Sequence, residues 1–207
     1  MKRLHIADTH EVRSGEVTDI YFVRTEEILK VRHLNEHVCM EVFLKSFPDE
    51  SYRWGVFAGL EEVCTLLEGR PVTVYAVPEG TVFRPKIPVL VIEGNYLEFG
   101  EMETAILGCL CQASGISTRA SRFRVAAGDK GLLSFGARRI HPSIAPMVER
   151  AAYIGGCDGV STLAGARLIG EKPVGTMPHT LILIVGDTLT ATLAFDEIIE
   201  KGIPRIA

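Results

Sequence analysis

The sequence predicts a mixed α/β protein: an N-terminal α+β lobe followed by the first part of an irregular, TIM-like α/β barrel, incomplete at the C-terminus. Three observations carry that reading. The first hundred or so residues alternate single helices with short strands in no fixed rhythm. From about residue 130 a strand-then-helix rhythm sets in, as in a parallel sheet with crossover helices. About four strands of that series can be counted, whereas a closed barrel takes about eight strands and ~250 residues. The count therefore predicts a chain that stops partway through a barrel. It divides into 1–115, an α+β domain, and 116–207, a partial barrel domain. A small three-layer α/β fold with a short edge strand is the other architecture that the count allows.

The elements follow in order. Thr18 reads as the N-cap of a helix through Val31, with Ile20, Val23, Ile28 and Val31 on an imperfect apolar face. Val38–Phe47 alternates apolar and polar residues and reads as a half-exposed strand. Trp54–Glu68 reads as one helix with Phe57, Leu60, Val63, Cys64 and Leu67 on one face, stopped by Gly69 and Pro71. Val72–Val77 and Thr81–Phe83 form a hairpin around Pro78-Glu79-Gly80, and Val89–Glu93 is a further strand. A buried helix runs from Met102 to about Ala113, and a second from Thr118 to Ala127. The rhythm then reads Leu132–Phe135 strand, Ser143–Tyr153 helix, Cys157–Val160 strand, Thr162–Ile169 helix, Pro173–Met177 strand, and helices over Pro178–Val185 and Thr188–Lys201. Gly202 caps the last helix, Pro204 follows, and Arg205–Ala207 begins a strand.

Composition removes several function classes. A hydrophobic share of 47% is enough to fill a core, which excludes a disordered chain. A net charge of -4 argues against a broad nucleic-acid-binding surface. No run of about 18 apolar residues offers a membrane span. Met1–His10 holds Lys2, Arg3, His5 and Asp8 and no apolar signal segment, so the reading is a soluble, cytoplasmic protein. The five cysteines include a Cys109-Leu110-Cys111 pair but no second pair at zinc-site spacing, so they read as buried, reduced thiols. There is no P-loop, G-x-G-x-x-G, G-x-S-x-G or H-E-x-x-H, which removes support from nucleotide-fold, hydrolase and metalloprotease readings.

In parallel βα units the reacting groups gather where strands end and loops begin. Three consecutive strand ends carry polar or cationic residues: Phe135-Gly136-Ala137-Arg138-Arg139, Gly159-Val160-Ser161-Thr162, and Gly175-Thr176-Met177-Pro178-His179. Arg138 can clasp a carboxylate or phosphate with two parallel hydrogen bonds, or be one of a solvated pair. Phe135 can stack on a flat heterocycle or belong to the core. Ser161 and Thr162 can cap the following helix or aim backbone N–H groups at an anion. His179 sits in a tight strand-to-helix turn, as a phosphate nucleophile, a general base or a structural imidazole.

These segments, with Thr18-Asp19-Ile20-Tyr21-Phe22, Glu103-Thr104-Ala105-Ile106-Leu107-Gly108, His141-Pro142 and Gly155-Gly156-Cys157-Asp158, are spread over nearly the whole chain. Together they resemble the nicotinate phosphoribosyltransferases, in particular the shorter archaeal-type members related to nicotinamide phosphoribosyltransferase. The resemblance implies an enzyme of NAD salvage that joins nicotinate to the ribose of phosphoribosyl pyrophosphate, with coupled ATP hydrolysis and Mg²⁺. It implies that Phe135 stacks on one face of the pyridine ring and that Tyr21 of a partner subunit covers the other, hence a homodimer or higher homo-oligomer. It implies further that Arg138 neutralises the carboxylate or a nearby phosphate, that Ser161 lines the base pocket, and that His179 takes up phosphate from ATP. The family's acidic ribose and metal ligands and its Gly-rich phosphate loops lie on later strands than those counted here.

Two other bases fit the same fold. Quinolinate, with a second carboxylate, needs more basic residues in the pocket. Nicotinamide favours an acidic residue near Ser161-Thr162, where the sequence offers only Asp158. A reading of a different class is a non-catalytic fragment or split subunit that docks a partner. Neither nucleic acid nor membrane is expected as a partner.

Overall fold

A computed structural model describes residues 4–49, 51–201 and 203. The expectations for Gly202, Pro204 and 205–207 lie outside the described residues. The chain opens with α1 (Thr9–Arg13), closed by a reciprocal capping box between Asp8 and Glu11. In α2 (Ile20–Val31) the N-cap is Asp19 and not the expected Thr18. Asp19 gives up the local capping bond: its carboxylate accepts Thr104 Oγ1–H at 2.8 Å, and its N–H donates to Thr104 Oγ1 at 3.2 Å. A partner 85 residues away thus decides where the helix starts.

The first lobe is built on β5 (Leu90–Asn95), the central strand of a three-stranded antiparallel sheet. It pairs on one side with β1 (His37–Val42) and on the other with β3 (Thr73–Ala76). The expected hairpin between 72–77 and 81–83 is not formed. β4 (Val82–Phe83) instead pairs with β2 (Gly55–Val56) in a second, two-stranded sheet. The Pro78-Glu79-Gly80 turn is present, but Gly80 N–H and Thr81 C=O bond to Phe57 and carry the chain away from β3.

The predicted helix over Trp54–Glu68 is also shorter, because its first part is β2 and α3 covers only Leu60–Leu67. Gly59 lies between them at φ +97°, where a Cβ would stand 2.7 Å from the Cys109 carbonyl oxygen. The helix start is capped from outside: Gly59 and Leu60 N–H donate to Glu79 Oε1 at 2.6 and 3.0 Å. Burial raises the Glu79 carboxyl, but Arg150 and these two N–H groups outweigh it and hold it below its ordinary value. Phe57, Val63, Leu66, Leu90, Ile92 and Met102 fill the core of this lobe. Each such side chain contributes on the order of 1.5–3 kcal/mol by leaving water.

The two predicted helices at 102–113 and 118–127 are one helix, α4 (Glu103–Ala127), and the expected boundary at 115/116 falls inside it. Ile106, Leu110, Ala113, Ser117 and Ala120 are buried at steps of four and three, so the inward stripe passes through Gly115-Ile116-Ser117 without a break. Small polar residues on this helix make its contacts. Thr118 Oγ1 accepts Val56 N–H at 2.8 Å, and Ser114 Oγ bonds both Ala58 N–H and Ala58 C=O. The cysteines are all free, but of the five only Cys157 is buried; Cys39, Cys64 and Cys111 lie on outward faces.

Beyond α4 the chain forms β6 (Leu133–Ser134), α5 (Ala145–Ile154), β7 (Gly159–Val160), α6 (Leu163–Ile169), α7 (His179–Val185) and α8 (Thr188–Ile198). β6 and β7 pair in parallel, as the strand–helix rhythm requires. The predicted strand at 173–177 is not a strand. Pro173 has no N–H to give, and the segment makes one rung, Val174 N–H to Val160 C=O at 2.8 Å.

Gly155 ends α5 against α4, where a Cβ would collide with the Ser117 carbonyl oxygen and stand 2.6 Å from Ala120 Cβ. Gly155→Ala should lower stability by about 1–3 kcal/mol through overpacking. Gly115→Ala, inside α4 with nothing within 4 Å of its Cβ position, should raise it by roughly 0.5–1 kcal/mol. Urea unfolding midpoints check both; shifts of the same sign would show that the close helix approach is not what seats α5.

Candidate functional site

The segments 132–135, 159–162 and 174–178 lie side by side. Ser134 is level with Val160 in the parallel pair, and Val174 bonds to the far side of Val160. Phe135 and Ser161 therefore leave adjacent strand ends together. Phe135 is 44% exposed. The chain then turns through a short 3₁₀ segment, Ala137–Arg139, that presents Arg138 to solvent. Among the described residues no carboxylate lies within 4 Å of Arg138. His179, exposed, is the first residue of α7, with Pro178 at the cap. The fold thus brings Phe135 and Ser161 to neighbouring strand ends, with Arg138 in the turn that follows β6 and His179 at the start of the helix that follows the 174–178 segment. Tyr21 is elsewhere: it sits 55% exposed on α2, which packs on the Gly100–Met102 turn. Partial desolvation and the neighbouring Asp19 and Glu103 raise its phenol above the ordinary value.

Two acids organise this platform, and the sequence reading missed one of them. Glu149, on α5, is 1% exposed. Its Oε1 accepts Ser161 N–H at 2.9 Å, Ser161 Oγ–H at 2.8 Å and Thr162 N–H at 3.0 Å. Its Oε2 accepts Thr162 N–H at 3.2 Å and is bonded by Thr162 Oγ1. Thr162 caps α6 as expected, its Oγ1 accepting Gly165 N–H at 3.0 Å. The anion that the Ser161-Thr162 turn was expected to receive is thus supplied by the protein itself. An acidic residue does touch Ser161-Thr162, but it comes from α5 and all its neighbours there are donors. The signal for it was its register: Ala145, Glu149 and Ala152 are one buried stripe of α5, and a charge on such a stripe needs partners.

Asp158, the acid that the sequence places nearest, faces away. It accepts Leu132 N–H at 2.7 Å and pairs with Arg124, while its own N–H donates to Leu132 C=O at 2.7 Å. The Leu132 N–H bond first, and then Arg124, hold its carboxyl below the ordinary value. Arg124 also donates to Gly156 C=O at 2.8 Å and to Lys130 C=O at 2.8 Å. A cavity of about 280 Å³ lies between α3, α4 and α5, lined by Glu62, Ala113, Met147, Arg150 and Leu168 among others, none of them a candidate residue. Among the described residues no three His, Cys, Asp or Glu side chains gather to hold a metal ion. No helix among them is long and apolar enough to cross a membrane.

Comparison with known proteins adds an independent line. Residues 19–114 match the family model described as quinolinate phosphoribosyl transferase, N-terminal domain. Nicotinate phosphoribosyltransferase 2 of Arabidopsis thaliana is 36% identical over 146 residues, 68% of this chain and 25% of that protein. A crystal structure described as nicotinate-nucleotide pyrophosphorylase from Pyrococcus furiosus is 56% identical with a TM-score of 0.96, covering 100% of this chain and 53% of that one. Human nicotinic acid phosphoribosyltransferase is 25% identical with a TM-score of 0.73, over 81% of this chain and 40% of that one. The chain therefore spans about a quarter of the plant relative's length and about half of the Pyrococcus chain's.

Because Asp158 has a lowered pKa, its contribution to stability is fully present above the ordinary carboxyl value of 3.8 and is lost as pH falls through the lower folded value. Asp158→Asn should flatten the acid limb of the stability–pH curve below about pH 3.8. It should also speed hydrogen exchange at the Leu132 amide. An unchanged acid limb would remove Asp158 from the join between β6 and β7.

Proposed function

We propose, from the premise that the chain belongs to the nicotinate and quinolinate phosphoribosyltransferase family, that it carries the base-binding part of an enzyme joining nicotinate to phosphoribosyl pyrophosphate. The observation that carries this reading is that Phe135 and Ser161 leave the adjacent ends of β6 and β7, with Arg138 in the turn after Phe135 and His179 opening the helix that follows the segment bonded to β7 at Val174. In the reaction the pyridine nitrogen bonds to ribose C1, the C1–oxygen bond to pyrophosphate breaks, and the bonding pair leaves with pyrophosphate. The products are nicotinate mononucleotide and pyrophosphate.

Each residue has a role that its exposure supports. The Phe135 ring offers a face to the planar base. Arg138, with no carboxylate partner among the described residues, matches the nicotinate carboxylate in charge and in its two-pronged geometry. His179, exposed at the start of α7, would take the phosphoryl group of ATP on an imidazole nitrogen, releasing ADP and the ring proton. Tyr21 of a second subunit supplies the other plate of the base sandwich, in a homodimer or higher homo-oligomer. In this reading residues 1–115 serve a partner's pocket through Tyr21, and 116–207 form the platform. Mg²⁺ is held mainly by substrate phosphates, with one or two carboxylates; no ligand for it is assigned among the described residues, and no step is routed through it.

A second reading, with quinolinate as the base, is favoured by the name of the matched N-terminal domain. Arg139, next to Arg138, is the cation that its second carboxylate would use. The two readings part in one assay: the protein is given phosphoribosyl pyrophosphate with nicotinate, quinolinate or nicotinamide, and products are separated by chromatography. Nicotinate should yield its mononucleotide without release of carbon dioxide; turnover of quinolinate alone, with carbon dioxide released, selects the second reading.

Arg138→Ala should raise the KM for nicotinate about 10- to 100-fold, the loss expected for a charged hydrogen bond, and affect nicotinamide far less. Equal losses would remove its carboxylate role. His179→Ala should abolish ATP stimulation while leaving some ATP-independent turnover. Stimulation that survives the substitution would exclude His179 as the phosphate acceptor.

A further inference from the structure

We infer that Thr104, in the first turn of α4, is a positioning residue for Tyr21: it clamps Asp19 at the start of α2 and so sets the direction in which the Tyr21 ring leaves the first lobe toward a second subunit's base pocket. This rests on the reading of Tyr21 as the second plate of the base sandwich, and adds the residue that aims it.

An Asp at an N-cap ordinarily turns its carboxylate to the backbone N–H groups of the first helical turn, a local bond worth about 1 kcal/mol. Asp19 makes no such bond. Its Oδ2 accepts Thr104 Oγ1–H at 2.8 Å, and its N–H donates to Thr104 Oγ1 at 3.2 Å. One hydroxyl serves both, having one proton to give and lone pairs with which to accept. The side chain and the backbone of Asp19 are thus both tied to α4, just ahead of Tyr21. Among the described residues these are the only hydrogen bonds from α2 and its cap to another element.

Packing alone leaves the rotation of α2 open. Phe22 is the one buried residue of the helix, so no apolar stripe runs along it to fix which side faces inward. Ile20, Val23 and Ile28 are exposed, as is Tyr21. The Tyr21 ring lies against that of Phe22, with centroids 4.2 Å apart, directly after the clamp. A locally capped Asp19 would start the helix equally well. What the bonds to Thr104 add is a fixed direction relative to α4. The side chain for which that direction matters is the exposed ring beside them, because an aromatic plate serves a flat base only when its face is presented squarely. A site group is held precisely when supporting hydrogen bonds lock the element that carries it.

Variants of the full chain test this. Thr104→Val keeps the shape of the side chain and loses the hydroxyl; Thr104→Ser keeps the hydroxyl. In the free protein, the NMR signals of the Tyr21 ring should shift in Thr104→Val and stay in place in Thr104→Ser. Ring signals unmoved by Thr104→Val overturn the inference whether or not the protein binds nicotinate. In equilibrium dialysis, Thr104→Val should weaken nicotinate binding about 3- to 10-fold and Thr104→Ser by less than about twofold. Added to Tyr21→Ala, Thr104→Val should cost nothing further; additive losses would mean that Thr104 acts on something other than the ring. Mixed dimers of Thr104→Val and Phe135→Ala subunits hold one pocket with both defects and one with neither. An equal mixture should therefore regain roughly a quarter of the wild-type tight sites. No recovery would place the action of Thr104 within its own subunit and overturn the inference. Wild-type protein that binds no nicotinate sinks the proposed function, while the ring signals still decide whether Thr104 sets the direction of Tyr21.

Discussion

Everything in this fold hangs on α4 meeting the backbone hydrogen-bonding needs of two separate pieces of chain. Strand β2 is two residues long and pairs with β4 on one side, so its other side would carry buried, unpaired groups. Ser114 and Thr118 take those groups, at Ala58 and Val56. A turn further on, Ser121 donates to Gly155 C=O at 2.9 Å and Arg124 to Gly156 C=O. Each such group left unmade would cost about 1–3 kcal/mol. The helix is apolar along its inward stripe and polar where it meets loops. That mixture explains why its overall amphipathicity is weak while its contacts are specific.

The acids of the chain follow a common pattern around this spine. Glu79 caps α3 and pairs with Arg150, Asp158 clasps Leu132 N–H and Arg124, and Glu149 collects the Ser161-Thr162 turn. Each turns inward to backbone N–H groups. Phe135, Arg138 and His179 are left facing outward at the strand ends. The outward surface of the platform is thus a ring, a guanidinium and an imidazole, with the nearby negative charge already neutralised by donors. Such a surface suits a flat anion better than a cation.

The parts legible in the sequence were those fixed locally. The first two strand–helix units from 132 onward and the Thr162 cap could be read from period and turn chemistry, whereas the strand expected at 173–177 is a single rung. What escaped was decided by partners far along the chain. Asp19 starts α2 through Thr104, Glu79 starts α3 across 19 and 20 residues, and β3 and β4 separate into different sheets because β5 and β2 compete for them. The break expected between Ala113 and Thr118 is not there: Ser114 binds backbone and Gly115 faces open space within one helix. Glu149 was passed over for a related reason: an isolated acid in a helix looks solvated until its register puts it on the buried stripe.

The link from spine to site runs through register. β6 and β7 share a ladder of only two residue pairs, which by itself fixes little. A slip of one residue would turn Phe135 and Ser161 to the opposite faces of the sheet. What forbids the slip is Asp158, whose N–H and carboxylate both bond to Leu132, one residue before β6, and whose carboxylate is held by Arg124 of α4. Glu149 does the same at the other end of β7, through Ser161 and Thr162. A two-residue strand clamped before by the exposed Asp158 and after by the buried Glu149 is as well placed as a longer one. Its short ladder leaves the strand ends free for the loops that carry Arg138 and His179, so the platform is precise because its anchors lie in the helices behind it.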